Sequence, residues 1–274
     1  MRPGHEQIPA LLRAVADDVI LPRFNTLTPS QIIAKGGRSD VVTIADLEAE
    51  QRLTEALEAL EPGSVVVGEE GVAADPARLA ALADTPPVWL VDPVDGTQNF
   101  AAGTPCFAVI VAYCRGGETL AGWILDPLDG SVVGAKRGEG AWLDQASGRR
   151  RLTIEHGNDI ATMAGRLDYR SFRRLRGMRE QGLSPLPGRP VRYGSTGREY
   201  MDIARGTLHF AQYRRLKPWD HAAGILIVEE AGGHALMQDT RLPYRPAPSI
   251  VEGTVLLAPG AAAWAELDRL FPAT

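Results

Sequence analysis

The sequence predicts an α+β N-terminal part over residues 1–150, followed by an α/β C-terminal part over residues 151–274. Near the N-terminus, segments of helical period give way to a run of short apolar stretches broken by turn signals. Beyond residue 150 such stretches alternate with helical periods, the pattern of strands connected by helices. The composition sets the broad class. Of 274 residues, 45% are hydrophobic and 23% charged, close to soluble-globular averages and far from disordered, collagen-like or coiled-coil chains.

Taking the elements in order, Ile8, Leu11, Leu12, Val15, Val19 and Ile20 recur at helical spacing, which predicts an amphipathic helix ending near Pro22. A second helix is predicted from about Asp46 to Leu60, stopped by Pro62-Gly63. Between them Lys35-Gly-Gly-Arg-Ser-Asp40 is glycine-rich and charged and reads as a mobile loop. Strands are predicted at Val65–Val67, Val88–Val91, Phe107–Tyr113 and Ala121–Leu125, continuing as a meander through Ser131–Ala135 and Gly140–Leu143. The run Gly148-Arg-Arg-Arg-Leu152 is taken as the boundary between the two parts. Beyond it, strands are expected at 162–164, 209–213 and 254–257, with helices near 170–181, 198–205, 220–231 and 261–270.

Charge and cysteine content narrow the function classes. A net charge of −5 argues against a nucleic acid as main partner. Residues 1–150 carry 12 Lys+Arg against 21 Asp+Glu, and residues 151–274 carry 17 against 13. Such an asymmetry suits a cleft where cations and an anionic substrate meet, although ordinary surface scatter produces it too. Cys106 and Cys114 flank one strand, roughly 26 Å apart and beyond disulfide reach, so two free thiols are expected. No apolar run approaches the roughly 18 residues needed to cross a bilayer, so no membrane partner is expected. The N-terminus, with Glu6, Asp17 and Asp18, does not read as a signal peptide, which makes the cytoplasm the expected compartment.

The chemistry concentrates in Trp89-Leu-Val-Asp92-Pro-Val94-Asp95-Gly96-Thr97-Gln-Asn-Phe100. An apolar strand delivers Asp92, Pro93 fixes a turn, and Asp95 follows, so two carboxylates and the Val94 carbonyl can converge on a hard divalent cation. Gly96 and Thr97 then offer backbone N–H groups to a phosphate. The competing reading is a plain Asx-type turn. Asp126-Pro-Leu-Asp129-Gly-Ser131 has nearly the same spelling but lies between two predicted strands, where Asp-Gly signals a hairpin, and is read as structural. Two other stretches add carboxylates. Glu69-Glu70 crowds two at a strand end, an arrangement that a cation or solvent must relieve. Asp220 in Lys217-Pro-Trp-Asp-His-Ala-Ala-Gly224 stands at a predicted helix start, where a helix cap is the plainer reading.

Together, Glu69-Glu70, Asp92-Pro-Val-Asp95-Gly-Thr97 and Trp219-Asp220-His-Ala-Ala-Gly224 resemble the inositol monophosphatase family of magnesium-dependent phosphatases, in order over about 200 residues. The resemblance implies a layered α+β / α/β sandwich of the inositol monophosphatase / fructose-1,6-bisphosphatase type, a homodimer, and a site between the two parts of the chain. Most metal ligands would then come from residues 1–150, and Asp220 with the substrate-side residues from 151–274. It further implies that two or three Mg2+ ions are held by Glu69, Asp92, the Val94 carbonyl, Asp95 and Asp220. Thr97 and its partner Asp46, with Glu69, would orient the attacking water, Gly96 and Thr97 would bind phosphate, and Lys35 and Asp40 would sit in a mobile loop near a third metal. Gly194-Ser195 resembles a small-residue loop beside the substrate, or else is a simple glycine turn.

The activity so implied is hydrolysis of a small phosphomonoester by direct attack of a metal-activated water. A nucleotide substrate of the 3′-phosphoadenosine 5′-phosphate type, histidinol phosphate, or a catalytically weak regulatory role are the alternatives. Where the family commonly has a substrate-gripping glutamate, this chain has Tyr213, followed by Arg214 and Arg215. If Tyr213 faces the pocket, a ring-bearing phosphomonoester should be preferred over inositol phosphate. If it points into the core, it selects nothing.

Overall fold

Apolar residues at helical spacing bring α1 (Ile8–Val15) against the sheet beneath it, and the chain leaves it through a wider turn at Ala16–Ile20 and a tight one at Leu21–Arg23. The structure is a computed structural model describing residues 5–35, 41–83, 86–155, 157, 159–183, 186 and 190–273. A short antiparallel pair, β1 (Ile32–Ala34) and β2 (Val41–Thr43), leads into α2 (Ile44–Leu60). Thr43 starts that helix because its hydroxyl accepts from the Ala45 amide while the Asp46 carboxylate accepts from the Thr43 amide, a reciprocal cap.

The next strands form one mixed sheet of seven in chain order. They are β3 (Val65–Gly68), β4 (Val88–Asp95), β5 (Ala108–Arg115), β6 (Glu118–Leu125), β7 (Val132–Lys136), β8 (Gly140–Gln145) and β9 (Gly148–Leu152). β3 and β4 run parallel because the chain between them crosses over through α3 (Glu69–Ala74), and the remaining neighbours are antiparallel. α4 (Thr97–Ala101) follows β4 directly. The arginine run taken as a domain boundary is the strand β9, paired with β8 and exposed at Arg149, Arg150 and Arg151. Charged side chains on an edge strand discourage further pairing, and they also hide the alternation by which a strand is recognised.

A second sheet has the order β10 (Gly165–Arg166), β11 (Phe210–Leu216), β13 (Val251–Ala258), β12 (His234–Met237). Its connections carry α5 (Tyr169–Glu180), α6 (Thr196–Arg205) and α7 (Pro218–Glu230), and α8 (Ala261–Leu270) closes the chain. β12 was not expected from the sequence, and β10 falls just after its expected place.

The elements stack as helix, sheet, helix, sheet, helix. Leu12 of α1 and Leu53 and Leu57 of α2 pack on Trp89, Val91 and Val111 of the large sheet. Leu90, Ile110 and Ala112, one residue out of phase on the same strands, face Met201 of α6 and Ala223 of α7. The far side of α6 and α7 meets Tyr213, Val255 and Leu257 of the small sheet, whose outer face, with Phe210 and Leu256, is covered by Trp264 and Leu267 of α8 and Leu175 of α5. α7 is therefore apolar all round, His221 to Val228 being buried without interruption between two sheets. Gly224 permits this packing: a Cβ there would lie 2.1 Å from the Tyr200 ring. Cys106 and Cys114 are free thiols. Among the described residues no helix is long and apolar enough to cross a membrane.

Candidate active site

The ends of β3 and β4 and the start of α7 meet at one edge of the layers. The parallel register pairs Gly68 with Val91, so Glu69 emerges beside Asp92. Glu50 of α2 holds α3 in place: its two carboxylate oxygens accept from the amides of Glu70 (2.8 Å) and Gly71 (2.7 Å). Residue 68 must be glycine for this, since a Cβ would lie 2.3 Å from the Glu50 carboxyl.

β4 does not stop at Asp92, where the sequence suggested a turn; it continues to Asp95 with its register against β5 shifted between the two aspartates. Pro93 has no N–H for the ladder, and the Val94 amide donates instead to the Asp92 carboxylate at 3.2 Å. Gly96 then takes φ +92°, and a Cβ on it would meet the carbonyl oxygens of Cys106 and Gly194, each at 3.1 Å. The Thr97 hydroxyl lies 2.9 Å from both Asp46 Oδ1 and the Val94 carbonyl oxygen.

Glu69, Asp92 and Asp220 are brought together, each offering a carboxylate oxygen within 4.8 Å of the others. Asp95 lines the same cavity of about 250 Å3, but both its oxygens face the start of α6, where they accept from the amides of Thr196 (3.0 Å) and Gly197 (2.7 Å) and from the Ser195 hydroxyl. Gly194, Thr97, Arg192 and Lys217 also line the cavity. Ser195 is buried, its hydroxyl engaged by Asp95. Lys35 pairs with Glu70 at 2.6 Å and reaches Glu69 at 3.6 Å, whereas Asp40 lies outside the described residues.

Tyr213 takes the core placement. It is 2% exposed, its hydroxyl donates to Glu199 at 2.9 Å, and the Arg166 guanidinium lies 4.2 Å from its ring centre. The buried Glu199 carboxylate draws the phenol inward, so Tyr213 is not on the cavity wall and the expectation that it selects a ring-bearing substrate loses its basis. Arg215 points outward to Glu252 at 3.1 Å.

Burial and mutual repulsion dominate the electrostatics. Burial, reinforced by Glu69, Asp95 and Asp220, drives Asp92 well above the usual carboxylate range. Burial also pushes Asp220 up to about 8, despite Lys217 nearby, and Asp46 to about 6. Burial alone would raise Glu69 too, but the ammonium groups of Lys217 (3.1 Å) and Lys35 outweigh it and hold Glu69 below its ordinary value. Asp220 Oδ1 is buried with no hydrogen-bond partner among the described residues. A buried, unpartnered oxygen on one of three converging carboxylates is costly in a protein alone and suits an all-oxygen donor set for a hard cation, so these residues fit a divalent metal.

Residues 1–150 supply Glu69 and Asp92, and residues 151–274 supply Asp220 together with the cations Lys217 and Arg192. Sequence reasoning gave no role to Lys217, although it stands in the Trp-Asp motif, nor to Glu50 or Arg192. A Lys three residues before a candidate ligand was a usable signal. Nothing in the local sequence marks the other two.

The layered fold and the converging carboxylates together support a metal-dependent phosphatase. The chain belongs to the inositol monophosphatase family, whose profile matches residues 7–269. It is 34% identical over 233 residues to inositol-1-monophosphatase of Mycobacterium leprae, covering 84% of this chain and 78% of that one. Its fold is similar to that of Thermotoga maritima IMPase (TM-score 0.77, 22% identity, 97% of this chain and 94% of that one). It is also similar to that of SaIMPase-II from Staphylococcus aureus with 2′AMP bound (TM-score 0.72, 22% identity, 97% and 93%).

Proposed function

We propose that the chain hydrolyses a small phosphomonoester in the cavity formed by Glu69, Asp92, Asp95, Thr97, Lys217 and Asp220, with two or three magnesium ions, as a cytoplasmic homodimer. The convergence of Glu69, Asp92 and Asp220, with Asp220 Oδ1 buried and unpartnered, is the observation that carries this reading. Glu69, Asp92 and Asp220 would hold the cations, with Asp95 and the Val94 carbonyl close by. Cations bound there supply Lewis acidity, acidifying water and offsetting the charge of the phosphate.

The protein's own groups then orient the reactants. Asp46, fixed by its bonds to Thr43, accepts from the Thr97 hydroxyl at 2.9 Å, which leaves that oxygen able to accept a hydrogen bond from the attacking water and so aim it. The carboxylate of Glu69 is the second acceptor for that water. Gly96 and Thr97, at the turn into α4, would present their amides to the phosphate, and Gly194 leaves room for the rest of the substrate. No carboxylate attacks phosphorus in this scheme: Asp92 and Asp95 are two residues apart by intervening count, and Asp95 is already tied to α6.

For the substrate, the staphylococcal relative of the same fold has been solved with 2′AMP and with inositol monophosphate, so nucleoside and polyol monophosphates are both candidates. The test is release of inorganic phosphate, with and without magnesium, from myo-inositol 1-phosphate, adenosine 2′-monophosphate, histidinol phosphate and 3′-phosphoadenosine 5′-phosphate. Magnesium-dependent release from at least one supports the reading. Ligand binding without release from any of them would favour a regulatory family member.

A further inference from the structure

Lys217 stands at a position that local structure disfavours for a lysine. It is the N-cap residue of α7, yet its side chain makes no capping hydrogen bond, and its positive charge meets the positive end of the helix dipole. The strand before it is irregular as well. Tyr213 of β11 faces the core, and regular alternation would then bury Arg215 and turn Leu216 outward. Instead the pairing with β13 shifts between Arg214 and Leu216, Arg214 and Arg215 are both exposed, and Arg215 takes φ +56°, where a residue with a Cβ is strained. With that shift Leu216 enters the same core as Tyr213, and Lys217, next along, opens into the carboxylate cavity. Pro218 then fixes the turn into α7. Local rules broken at a strand end and at a helix start, on either side of one residue, point to a task for its side chain.

The contacts show what that task concerns. The Lys217 ammonium lies 3.1 Å from Glu69 Oε1, and Asp220 and Asp92 attract the same charge. These are the three carboxylates whose oxygens converge. Lys35 is a second ammonium near Glu69, at 3.6 Å, but its shorter bond, 2.6 Å, is to Glu70, and it does not line the cavity. Carboxylates gathered this closely repel one another, and Lys217 is a cation of the protein's own set among them. A divalent ion is drawn to the same oxygens, and like charges a few Å apart oppose one another. The ring centre of Trp219 lies 5.6 Å from Nζ, so the ammonium has a second, weaker holder besides Glu69.

We propose that Lys217 is a tethered counter-cation of the carboxylate cluster: it balances Glu69, Asp92 and Asp220 while no metal is bound, and it sets the affinity for magnesium by competing with the ion for Glu69. The proposal rests on the metal-site reading above and adds the residue that tunes it.

The experiment uses metal-stripped wild type, Lys217→Met, which keeps the length of the side chain without its charge, and Lys217→Arg, which keeps the charge. Calorimetric titration with magnesium chloride reads affinity, and melting temperatures are recorded with and without saturating magnesium. Lys217→Met should bind magnesium roughly tenfold more tightly than the wild type, because the incoming ion no longer meets a like charge. Without metal it should melt at a lower temperature than the wild type, its carboxylates having lost their counter-charge, and saturating magnesium should close that difference. Lys217→Arg should stay within about threefold of the wild type in magnesium affinity. Equal or weaker magnesium binding by Lys217→Met overturns the proposal and leaves the metal-site reading in place. So does a melting difference from the wild type that is the same with and without magnesium, which is what a side chain serving only packing would give. Wild-type protein that binds no magnesium overturns both.

Discussion

Thr97 and Asp46 are joined by a hydrogen bond of 2.9 Å, so in the proposed mechanism each orients the water only while the other is present. Thr97→Val and Asp46→Asn should each lower kcat by roughly 10- to 100-fold with little change in KM, because the interaction matters chiefly in the transition state. The double variant should be no worse than about the worse single, and multiplicative losses in steady-state kinetics would separate the two residues. At this scale the sequence was informative wherever spelling and neighbours agreed. Asp92-Pro-Val-Asp95 and Asp126-Pro-Leu-Asp129 are nearly the same words, and their flanking residues told them apart. The second copy is the turn between β6 and β7, closed by the Gly130 amide on the Asp126 carbonyl at 2.9 Å, with Arg198 paired to the Asp126 carboxylate. Tyr213 was beyond that kind of reading, because its direction is decided by Glu199 on a different element.

At the scale of elements, the start of α6 and the burial of α7 connect fold to site. Asp95, from one end of β4, caps α6 through two amides, and Ser195 supports it from the N-cap position. Ser195→Ala should therefore cost about 1 kcal/mol of stability, as the loss of a helix cap does, and should also reduce magnesium affinity by freeing Asp95 to move. Chemical denaturation and calorimetric titration of magnesium measure the two effects, and a loss of stability alone would make Ser195 purely structural. Gly224→Ala should be far harsher, at least about 2 kcal/mol, because neither the Tyr200 ring nor the sheets beyond it can retreat. α7 was legible from its proline, its apolar run and the glycine pair after it. β12 was not, since four residues between that glycine pair and a turn carry too short a pattern, and it is the pairing with β13 that makes them a strand.

Over the whole molecule, the charges gathered at the layer edge set how stability varies with pH. Burial raises Asp220 to about 8, Glu70 to about 7, and Asp46 and Asp95 to about 6. Each keeps its proton in the folded chain at pH values where the unfolded chain has lost it, so each contributes stability that is complete below pH about 4 and disappears as pH rises through its folded value. His221 acts in the opposite sense. Burial lowers it to about 3, which costs stability as pH falls below about 6.5. Burial raises further carboxylates, Asp92 among them, and it lowers the two histidines His221 and His234, so the metal-free protein should melt at a lower temperature at pH 8 than at pH 5. Magnesium, competing with protons for Asp220 and Asp92, should flatten that slope in calorimetry, and a metal-free melting temperature that climbs steadily from pH 5 to 8 would contradict the account. A layered sandwich of helices and sheets was implied by family resemblance, and the number and order of its layers were not legible, because which face of α7 meets which sheet depends on contacts between residues a hundred positions apart, such as Gly122 with Ala223.

The central claim is that the carboxylates of Glu69, Asp92 and Asp220 hold the cation on which phosphate ester hydrolysis depends. Its most direct test is phosphate release from metal-stripped protein titrated with magnesium, run in parallel for the wild type, Asp92→Asn and Asp129→Asn. The account predicts a saturable magnesium requirement in the wild type, the same curve for Asp129→Asn, and for Asp92→Asn a folded protein with turnover reduced by about a thousandfold or more at every magnesium concentration. Turnover by Asp92→Asn equal to that of the wild type, or activity in the wild type that needs no divalent cation, would contradict it.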